Sequence, residues 1–405
     1  MSNKQPFSLE KCCEILNNRR KPLNSEQRQH IVGKYPYYGA NGVQGYIDDY
    51  AFDDDLILIA EDGGYFDEFA TRPIAYQVSG KCWVNNHAHV LKAKDDFSQD
   101  FIFYSLVHKD INKFIKGGTR AKLNLAELKA IEIEIPDLPT QKRIAKILST
   151  VDGQIEKTAA IIAKYQAIKQ GMLHDLFTRG IDLSTGKLRS TPEQLPELYK
   201  QSTLGLIPKD WEIYHLRDLL NNVIDNRGKT PPTISNGEIE LIETVSISNI
   251  ELYPDFSKVS KYVTFNTYKN WFRGYIERND ILISTVGEYA GSTALLHKTR
   301  GVIGQNLVSL RVNNAYDYFF TYFWTKTPYF SFNLGQVMMS AAQPSLKLPH
   351  LLNFKIAIPQ IKKESEAIGN SLLHVYNMIS SESINLLKLE KLKQGLMSKL
   401  LNGDV

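Results

Sequence analysis

The sequence predicts an α+β protein with two globular α/β halves and two long helices that form an antiparallel coiled coil, related by a pseudo-twofold internal repeat. The segment KQGMLHDLFTRG at residues 169–180 recurs as KQGLMSKLLNG at residues 393–403. Apolar residues upstream of both copies follow a 4–3 spacing, the seam pattern of a coiled coil. The predicted segments are a globular half at 1–138, a helix at 139–180, a linker at 181–207, a second globular half at 208–357 and a second helix at 358–405.

Each predicted helix is long enough to need a partner for its apolar seam. Residues 140–178 and 364–401 would form helices of about 55–60 Å at 1.5 Å per residue, more than one small domain needs to cover a sheet. An ordinary amphipathic helix packed on its own domain remains the alternative. The seam positions that match at a displacement of 224 residues are Ile144, Leu148, Val151, Ile155, Ile162, Tyr165, Met172 and Leu176, opposite Ile368, Leu372, Val375, Ile379, Leu386, Leu389, Leu396 and Leu400.

Two glycines occupy the same late turn of both predicted helices. Gly171 and Gly395 follow the repeated Lys-Gln pair, and a glycine inside a helix costs about 1 kcal/mol relative to alanine. We therefore expect a close-packing or partner-docking role for them.

The repeat extends into the globular halves and their junctions. LNLAELKAIEIEIP at residues 123–136 matches LKLPHLLNFKIAIP at residues 346–359, and both alternate like strands before a proline. The predicted linker is rich in turn and breaker residues. Because the helices remain similar while the globular halves have diverged, the pattern indicates a bivalent adaptor with two similar docking faces and two different recognition surfaces.

Composition restricts the kind of partner and compartment. The 405 residues carry a formal net charge of +4, with 43% hydrophobic and 23% charged residues, so a folded chain without a uniformly basic coat is expected. Three cysteines without a CxxC pair disfavour a disulfide framework and a zinc site, and favour the reducing cytoplasm. No apolar run reaches the length of a membrane span, so no membrane partner is expected.

Any DNA contact must come from local patches, because residues 1–138 carry a net charge of −3. Loops with NNRRKP, YPYYGAN, GGTRAKLN, DNRGKTPP and SAAQPSLK combine basic and amide groups that suit base edges and phosphates. Solvated basic loops, and a turn with buried tyrosines, remain alternative interpretations. The candidate DNA-binding residues are Arg19, Arg20, Lys21, Tyr37, Asn41, Arg120, Lys122, Arg227, Lys229, Thr230, Gln343 and Lys347.

Catalytic motifs are not apparent. The sequence contains no NPPY-like or DPPY-like tetrapeptide and no GxxxxGK[ST] loop. His87 and His89 lie at a spacing that would share one strand face, and without a third predicted ligand they are interpreted as structural. We expect a protein with no catalytic residues, metal or cofactor of its own.

The chain resembles the specificity (S) subunits of type I restriction-modification systems. The resemblance rests mainly on LPTQKRIAKILSTVDGQIEKTAAIIAKYQAIKQGMLHDLFTRGID at residues 138–182, where Gln141 and Ile144 form the family's Gln-x-x-Ile, and on YYGANGVQGYIDDYAFDDDLILIAEDGG at residues 37–64. The second copy departs from this pattern, with Ser365 opposite Gln141.

That resemblance implies separate roles for the globular halves, the long helices and the partner subunits. Each globular half would be a target recognition domain for one half of an asymmetric bipartite site in double-stranded DNA, and the helices would set the spacing. Two modification (methyltransferase) subunits would dock there, bind S-adenosylmethionine and methylate adenine N6 after base flipping. Restriction subunits would add ATP-driven translocation and cleavage, with ATP and Mg expected on those partners. A bivalent scaffold for proteins or glycans, and a stand-alone nuclease, are the alternative functions.

Overall fold

The computed structural model describes residues 4–117, 121–287, 289–298, 301–338 and 345–402. The chain forms two compact units. Unit 1 comprises Met1–Ala160 with Ile384–Val405, and unit 2 comprises Ile161–Ser383. Each of the two long helices therefore contributes one part to each unit. The mixture of strands and helices confirms the predicted α+β class.

Unit 1 contains the first globular half. Its described strands are β1 (Gln5–Ser8), β2 (Cys13–Ile15), β3 (Val32–Gly39), β4 (Gly42–Ile47), β5 (Phe52–Asp53), β6 (Leu56–Ala60), β7 (Ala75–Val78), β8 (Lys81–Val84), β9 (Ala88–Ala93) and β10 (Glu132–Ile135). The described α-helices of this half are α1 (Leu9–Cys12), α2 (Ser25–His30), α3 (Gln99–Leu106) and α4 (Leu125–Ala130), and the first part of α5 (Leu138–Thr178) follows them.

Unit 2 begins within α5 and continues through two short hairpins. These are β11 (Ile181–Asp182) with β12 (Lys187–Leu188), and β13 (Tyr199–Ser202) with β14 (Gly205–Pro208). Most of the predicted linker is therefore folded into hairpins. The remaining described strands and α-helices of this part of the chain are β15 (Trp211–His215), β16 (Leu220–Ile224), β17 (Ile239–Ile242), β18 (Tyr262–Val263), α6 (Phe265–Trp271), β19 (Ile281–Ser284), β20 (Thr293–Leu295), β21 (Val302–Ile303), β22 (Leu307–Val312), α7 (Tyr318–Trp324), α8 (Pro328–Met338), α9 (Leu348–Leu352), β23 (Lys355–Pro359) and α10 (Lys362–Asn402).

The two globular halves share the order of one antiparallel sheet and a parallel strand pair in a second, mixed sheet, which has four strands in unit 1 and three in unit 2. An antiparallel sheet has the order β2-β9-β6-β7 in unit 1 and β16-β22-β19-β20 in unit 2. A mixed sheet contains the parallel pair β3 and β8 in unit 1, and β17 and β21 in unit 2. The antiparallel pairs β1 with β10 and β15 with β23 join the ends of each half. This correspondence confirms the internal repeat.

The central strands are buried on both faces. In β6, Ile57 and Ile59 belong to one apolar cluster, whereas Leu56 and Leu58 belong to another. Successive strand side chains point to opposite faces, so a continuous apolar run indicates a strand covered on both sides. The strand β19 divides its apolar residues between two clusters in the same way.

The two long helices pair in antiparallel fashion, as each unit shows separately. In unit 1, Ile144 and Leu148 near the start of α5 share an apolar cluster with Leu396 and Leu400 near the end of α10. In unit 2, the last turns of α5 share a cluster with the first turns of α10 through Leu176, Ile368 and Leu372. The predicted seam positions are buried or half-buried on both helices. Among the described residues, no helix is apolar over a length that would span a membrane.

A buried ion pair anchors the beginning of α10. The Glu364 carboxylate, 1% exposed, accepts hydrogen bonds from both terminal nitrogens of Arg189. It also accepts from the backbone amide of Ile181 at 2.9 Å and from Trp211 Nε1 at 3.2 Å. These contacts tie the first hairpin, strand β15 and helix α10 together within unit 2.

We predict that Glu364→Gln lowers the free energy of unfolding by about 3 kcal/mol, because Arg189 loses its buried counter-charge and keeps only the exposed carboxylate of Asp210 at 2.8 Å. Urea denaturation of the full chain measures the change. Lys200→Ala is the control, since the Lys200–Glu212 pair at 2.7 Å is much more exposed, and it should cost at most about 1 kcal/mol. Equal losses in the two variants would contradict the anchoring role.

Candidate nucleic-acid interface

In unit 1, the turn after β6 brings three predicted DNA-binding residues together. Arg20 Nη1 donates to Glu61 Oε2 at 2.7 Å, and Lys122 Nζ lies 3.7 Å from Glu61 Oε1. Asn41 Nδ2 donates to the carbonyl of Gly63 at 2.9 Å. An isolated bridge between Asp62 and Lys122 holds the approaching segment against this turn. This turn, residues 61–63, is called the Glu61 turn below. It contacts residues that are far apart in the sequence.

Arg20 is mostly enclosed by the protein. Its side chain is 14% exposed, and its guanidinium also donates to the carbonyls of Ala88 at 2.8 Å and Asn17 at 3.1 Å. These bonds join the loop after β2 to the turn after β6 and to β9. The contacts favour a loop-positioning role, while direct DNA contact by Arg20 stays a prediction.

The two histidines next to this turn have protein partners. His87 Nδ1 lies 2.8 Å from Asp62 Oδ1. The buried His89 bonds through Nε2 to the Leu123 carbonyl at 2.7 Å and through Nδ1 to Asn17 Nδ2 at 2.8 Å. Desolvation lowers the pKa of His89, so its neutral ring joins two segments. Within the described ranges, no group of three or more His, Cys, Asp or Glu side chains could hold a metal ion.

The remaining predicted residues of unit 1 differ in exposure. Arg19 is 44% exposed and stacks 4.7 Å from the centroid of Phe52, and the Lys21 ammonium lies 5.5 Å from the Trp83 ring. Tyr37 is only 1% exposed, and its hydroxyl donates to the Leu23 carbonyl at 3.3 Å. Its burial supports the second interpretation of this segment, a turn with buried tyrosine.

A basic and aromatic surface in unit 1 was not among the predicted sites. Lys34 Nζ lies 5.3 Å from the centroid of Tyr35, whose ring lies 5.3 Å from that of Tyr50. Lys81 Nζ lies 4.5 Å from the Tyr50 centroid, and its hydrogen bond with Tyr50 raises the pKa of Lys81. Cations interleaved with aromatic rings suit contact with nucleic acid. These lysines and tyrosines come from three separate segments of the sequence, so local spacing does not predict this surface.

In unit 2, the predicted loop after β16 is held by its own ion pair. Arg227 donates to Asp225 through Nε at 2.8 Å and Nη2 at 2.7 Å, and this bond lowers the pKa of Asp225. Arg273 Nη2 donates to the Arg227 carbonyl at 3.0 Å. Lys229 and Thr230 are exposed. The loop therefore presents Lys229 and Thr230 to solvent, with Arg273 beside them.

Thr230 lies at a polar cavity of about 300 Å³, which Gln305, Asn306 and Lys261 also line. Gln305 Nε2 donates to the Thr230 hydroxyl. Lys347 is exposed and precedes α9, and the bridge between Val286 and Ser345 is the counterpart of the Asp62–Lys122 bridge in unit 1. Arg120 and Gln343 lie outside the described residues.

The comparisons with known proteins agree on one protein family. The family model described as "Type I restriction modification DNA specificity domain" matches residues 1–166 and 208–391. The specificity subunit of the type I restriction enzyme MjaVIII from Methanocaldococcus jannaschii is 25% identical over 329 residues, which cover 78% of this chain and 72% of that relative.

A chain of Haemophilus influenzae assigned as a type I restriction enzyme specificity subunit is 39% identical over 143 residues. That match covers 35% of this chain and 36% of the relative's length. The crystal structure of the S subunit of the type I restriction-modification system of M. genitalium has a TM-score of 0.69 at 17% identity, covering 99% of this chain and 96% of that chain. This structural likeness concerns the fold.

We predict that Arg20→Ala and Lys229→Ala separate loop positioning from DNA contact. Arg20→Ala should lower the free energy of unfolding by about 2 kcal/mol, because Glu61 loses a charge-assisted hydrogen bond. Lys229→Ala should change it by less than about 0.5 kcal/mol while weakening binding to duplex DNA, measured by gel shift. If Lys229→Ala unfolds as early as Arg20→Ala, or binds DNA unchanged, the assignment of these roles is wrong.

Proposed function

This chain belongs to the type I restriction modification DNA specificity family, and on that basis we propose that its globular halves each read one part of an asymmetric bipartite DNA site. The observation that carries the proposal is that one antiparallel strand order occurs in both halves with different loop chemistry. The Glu61 turn of unit 1 gathers Arg20 and Lys122, whereas unit 2 offers Lys229 and Thr230 beside the Asp225–Arg227 pair. Similar scaffolds with different polar surfaces suit two different half-sites.

The long helices are proposed to set the spacing between the half-sites. Both α5 and α10 are continuous over 41 residues, about 60 Å at 1.5 Å per residue. A paired seam makes such helices stiff enough to act as a ruler.

The helices also carry equivalent candidate docking faces for two modification subunits. Ile168 on α5 is 40% exposed, and Leu392, its counterpart 224 residues later on α10, is 49% exposed. Three residues further on, Gly171 and Gly395 are exposed, and beyond its chain neighbours and its own helix backbone a Cβ at either would meet no described atom within 4 Å. No packing contact within the described structure accounts for these glycines, which supports close approach by a partner.

The catalytic steps would then be carried out by the partner subunits. We assign S-adenosylmethionine and adenine N6 methylation to the modification subunits, and ATP and Mg to restriction subunits, while this chain selects the DNA without catalysis. The sequence supports this division because it has neither an amino-methyltransferase tetrapeptide nor a nucleotide-binding P-loop.

Lengthening both helices should lengthen the spacer of the recognised site. We predict that inserting four residues after Glu156 in α5 and four after Lys388 in α10 adds about 6 Å, or one to two base pairs at 3.4 Å each. A four-residue insertion is tolerated in coiled coils as a stutter. Methylome sequencing of cells that express the complete system measures the spacer, and an equal insertion after Thr185 in the first hairpin is the control. An unchanged spacer would refute the ruler assignment.

A single substitution should disrupt each docking face without affecting the other. We predict that Ile168→Glu and Leu392→Glu each reduce the number of bound modification subunits from two to one, because a charge replaces an exposed apolar contact. Native mass spectrometry of the complex measures the stoichiometry. Gln166→Glu, which adds the same charge on the opposite side of α5, should leave two subunits bound. Two subunits retained at unchanged affinity in both test variants would contradict this docking assignment.

A further inference from the structure

In each unit, the repeated Lys-Gln pair of a long helix lines a cavity. Lys393 and Gln394 of α10 line a cavity of about 1010 Å³ in unit 1. Their counterparts Lys169 and Gln170 of α5 line a cavity of about 260 Å³ in unit 2. The internal repeat therefore allows the chemistry of two related sites to be compared within one chain.

The site in unit 1 contains its own carboxylate. Asp152 of α5 lies with Oδ1 2.6 Å from Lys393 Nζ, and its Oδ2 accepts a hydrogen bond from the Tyr104 hydroxyl at 2.7 Å. The lysine and the carboxylate are 25% and 32% exposed, respectively. In this unit, the lysine of the repeated motif is neutralised by an acid from the same chain.

The site in unit 2 lacks that acid. The counterpart of Asp152 at the displacement of 224 residues is Tyr376. Its hydroxyl accepts from the Leu252 amide at 2.5 Å and donates to Glu251 Oε2 at 3.1 Å. The Lys169 ammonium makes no hydrogen bond or ion pair with the described residues, and no Asp or Glu is among the described residues that line the cavity.

A second lysine lines the same cavity. Lys326 Nζ donates to the Thr293 carbonyl at 2.9 Å and to Asn249 Oδ1 at 3.2 Å, and it lies 5.1 Å from the centroid of Tyr322. These acceptors are neutral. Desolvation, and then the charge of Lys169, lower the pKa of Lys326 to about 7, and desolvation also lowers the pKa of Lys169. Two amines in a partly dehydrated cavity without a carboxylate form an electrostatically incomplete site.

We propose that the Lys169–Lys326 pocket of unit 2 receives an Asp or Glu side chain of the modification subunit that docks on the long helices. This proposal rests on the proposed function and supplies the chemistry of one docking face. The partner's carboxylate would take the part that Asp152 takes beside Lys393 in unit 1. Two positive charges around one carboxylate give the charge complementarity that the pocket lacks in the isolated chain.

The surroundings of the pocket favour a protein side chain over a nucleic-acid phosphate. Ile250, which lines the pocket, is 78% exposed, and the half-buried Leu334 adds apolar surface, while the buried Leu173 and Phe330 complete the apolar lining. Gly171, two residues from Lys169, leaves open space beside the helix. An apolar rim around a charged centre is typical of protein interfaces, whereas backbone phosphates are commonly held by hydrated, exposed cations.

Substitution of Lys169 tests the pocket in the full complex. Lys169→Met removes the charge and keeps the length of the side chain, and it should weaken binding of one of the two modification subunits about tenfold, measured by titration calorimetry. Lys363→Met, at an exposed position of α10, is the control. The double variant Asp152→Asn with Lys393→Met removes the internal pair of unit 1 and should change affinity less than twofold. Unchanged affinity for Lys169→Met would overturn the proposal while leaving the proposed function intact.

Amine acetylation provides a second readout that does not depend on a variant folding. The acetylation rates of Lys169 and Lys326 are measured by mass spectrometry in the unaltered full chain, alone and with modification subunit, duplex DNA or inorganic phosphate. We expect at least tenfold protection with the modification subunit only. Equal protection by DNA or by phosphate, or no protection in the complex, would overturn the carboxylate assignment. Failure of the unaltered chain to bind any modification subunit would overturn the proposed function as well.

Discussion

The apolar seam between α5 and α10 is the constraint on which the rest of the structure depends. In unit 1 it joins Ile144 and Leu148 to Leu396 and Leu400, and in unit 2 it joins the opposite ends of the same helices. Because the helices run antiparallel, each unit contains the beginning of one helix and the end of the other. The repeated Lys-Gln-Gly motif therefore occurs once in each unit, beside a different globular half.

Apolar and polar contacts have diverged to different extents between the two copies. The antiparallel sheets have the same strand order in both halves, and the central strands are covered on both faces in each. The polar contacts are not repeated in this way: Asp152 neutralises Lys393, but Tyr376 stands where Lys169 would need an acid. Apolar burial is non-directional and tolerates substitutions of similar volume, whereas an ion pair is lost when one partner changes.

The sequence alone does not predict the burial of individual side chains or the contacts between distant segments. The basic loop at residues 17–22 is apparent in the sequence. However, Arg20 donates hydrogen bonds to Glu61, which is 41 residues away in the sequence, and to the Ala88 carbonyl, which is 68 residues away. Tyr37 lies in a motif with an amide and glycines, yet its ring is buried. The anchoring pair of Arg189 and Glu364 spans 175 positions. Local spacing carries no information on such contacts, because they exist only after the strands have paired.

The sequence by itself determined the repeat, the two long helices, the α+β class and the alternating strands, because these follow from short-range apolar periodicity. It also indicated the family, because the helix motifs are distinctive. Tertiary structure alone decided which charged side chains are used internally and which face solvent or a cavity. The physical reason is that a side chain's role depends on its desolvation and its neighbours, and sheet pairing and helix packing bring these from distant parts of the chain.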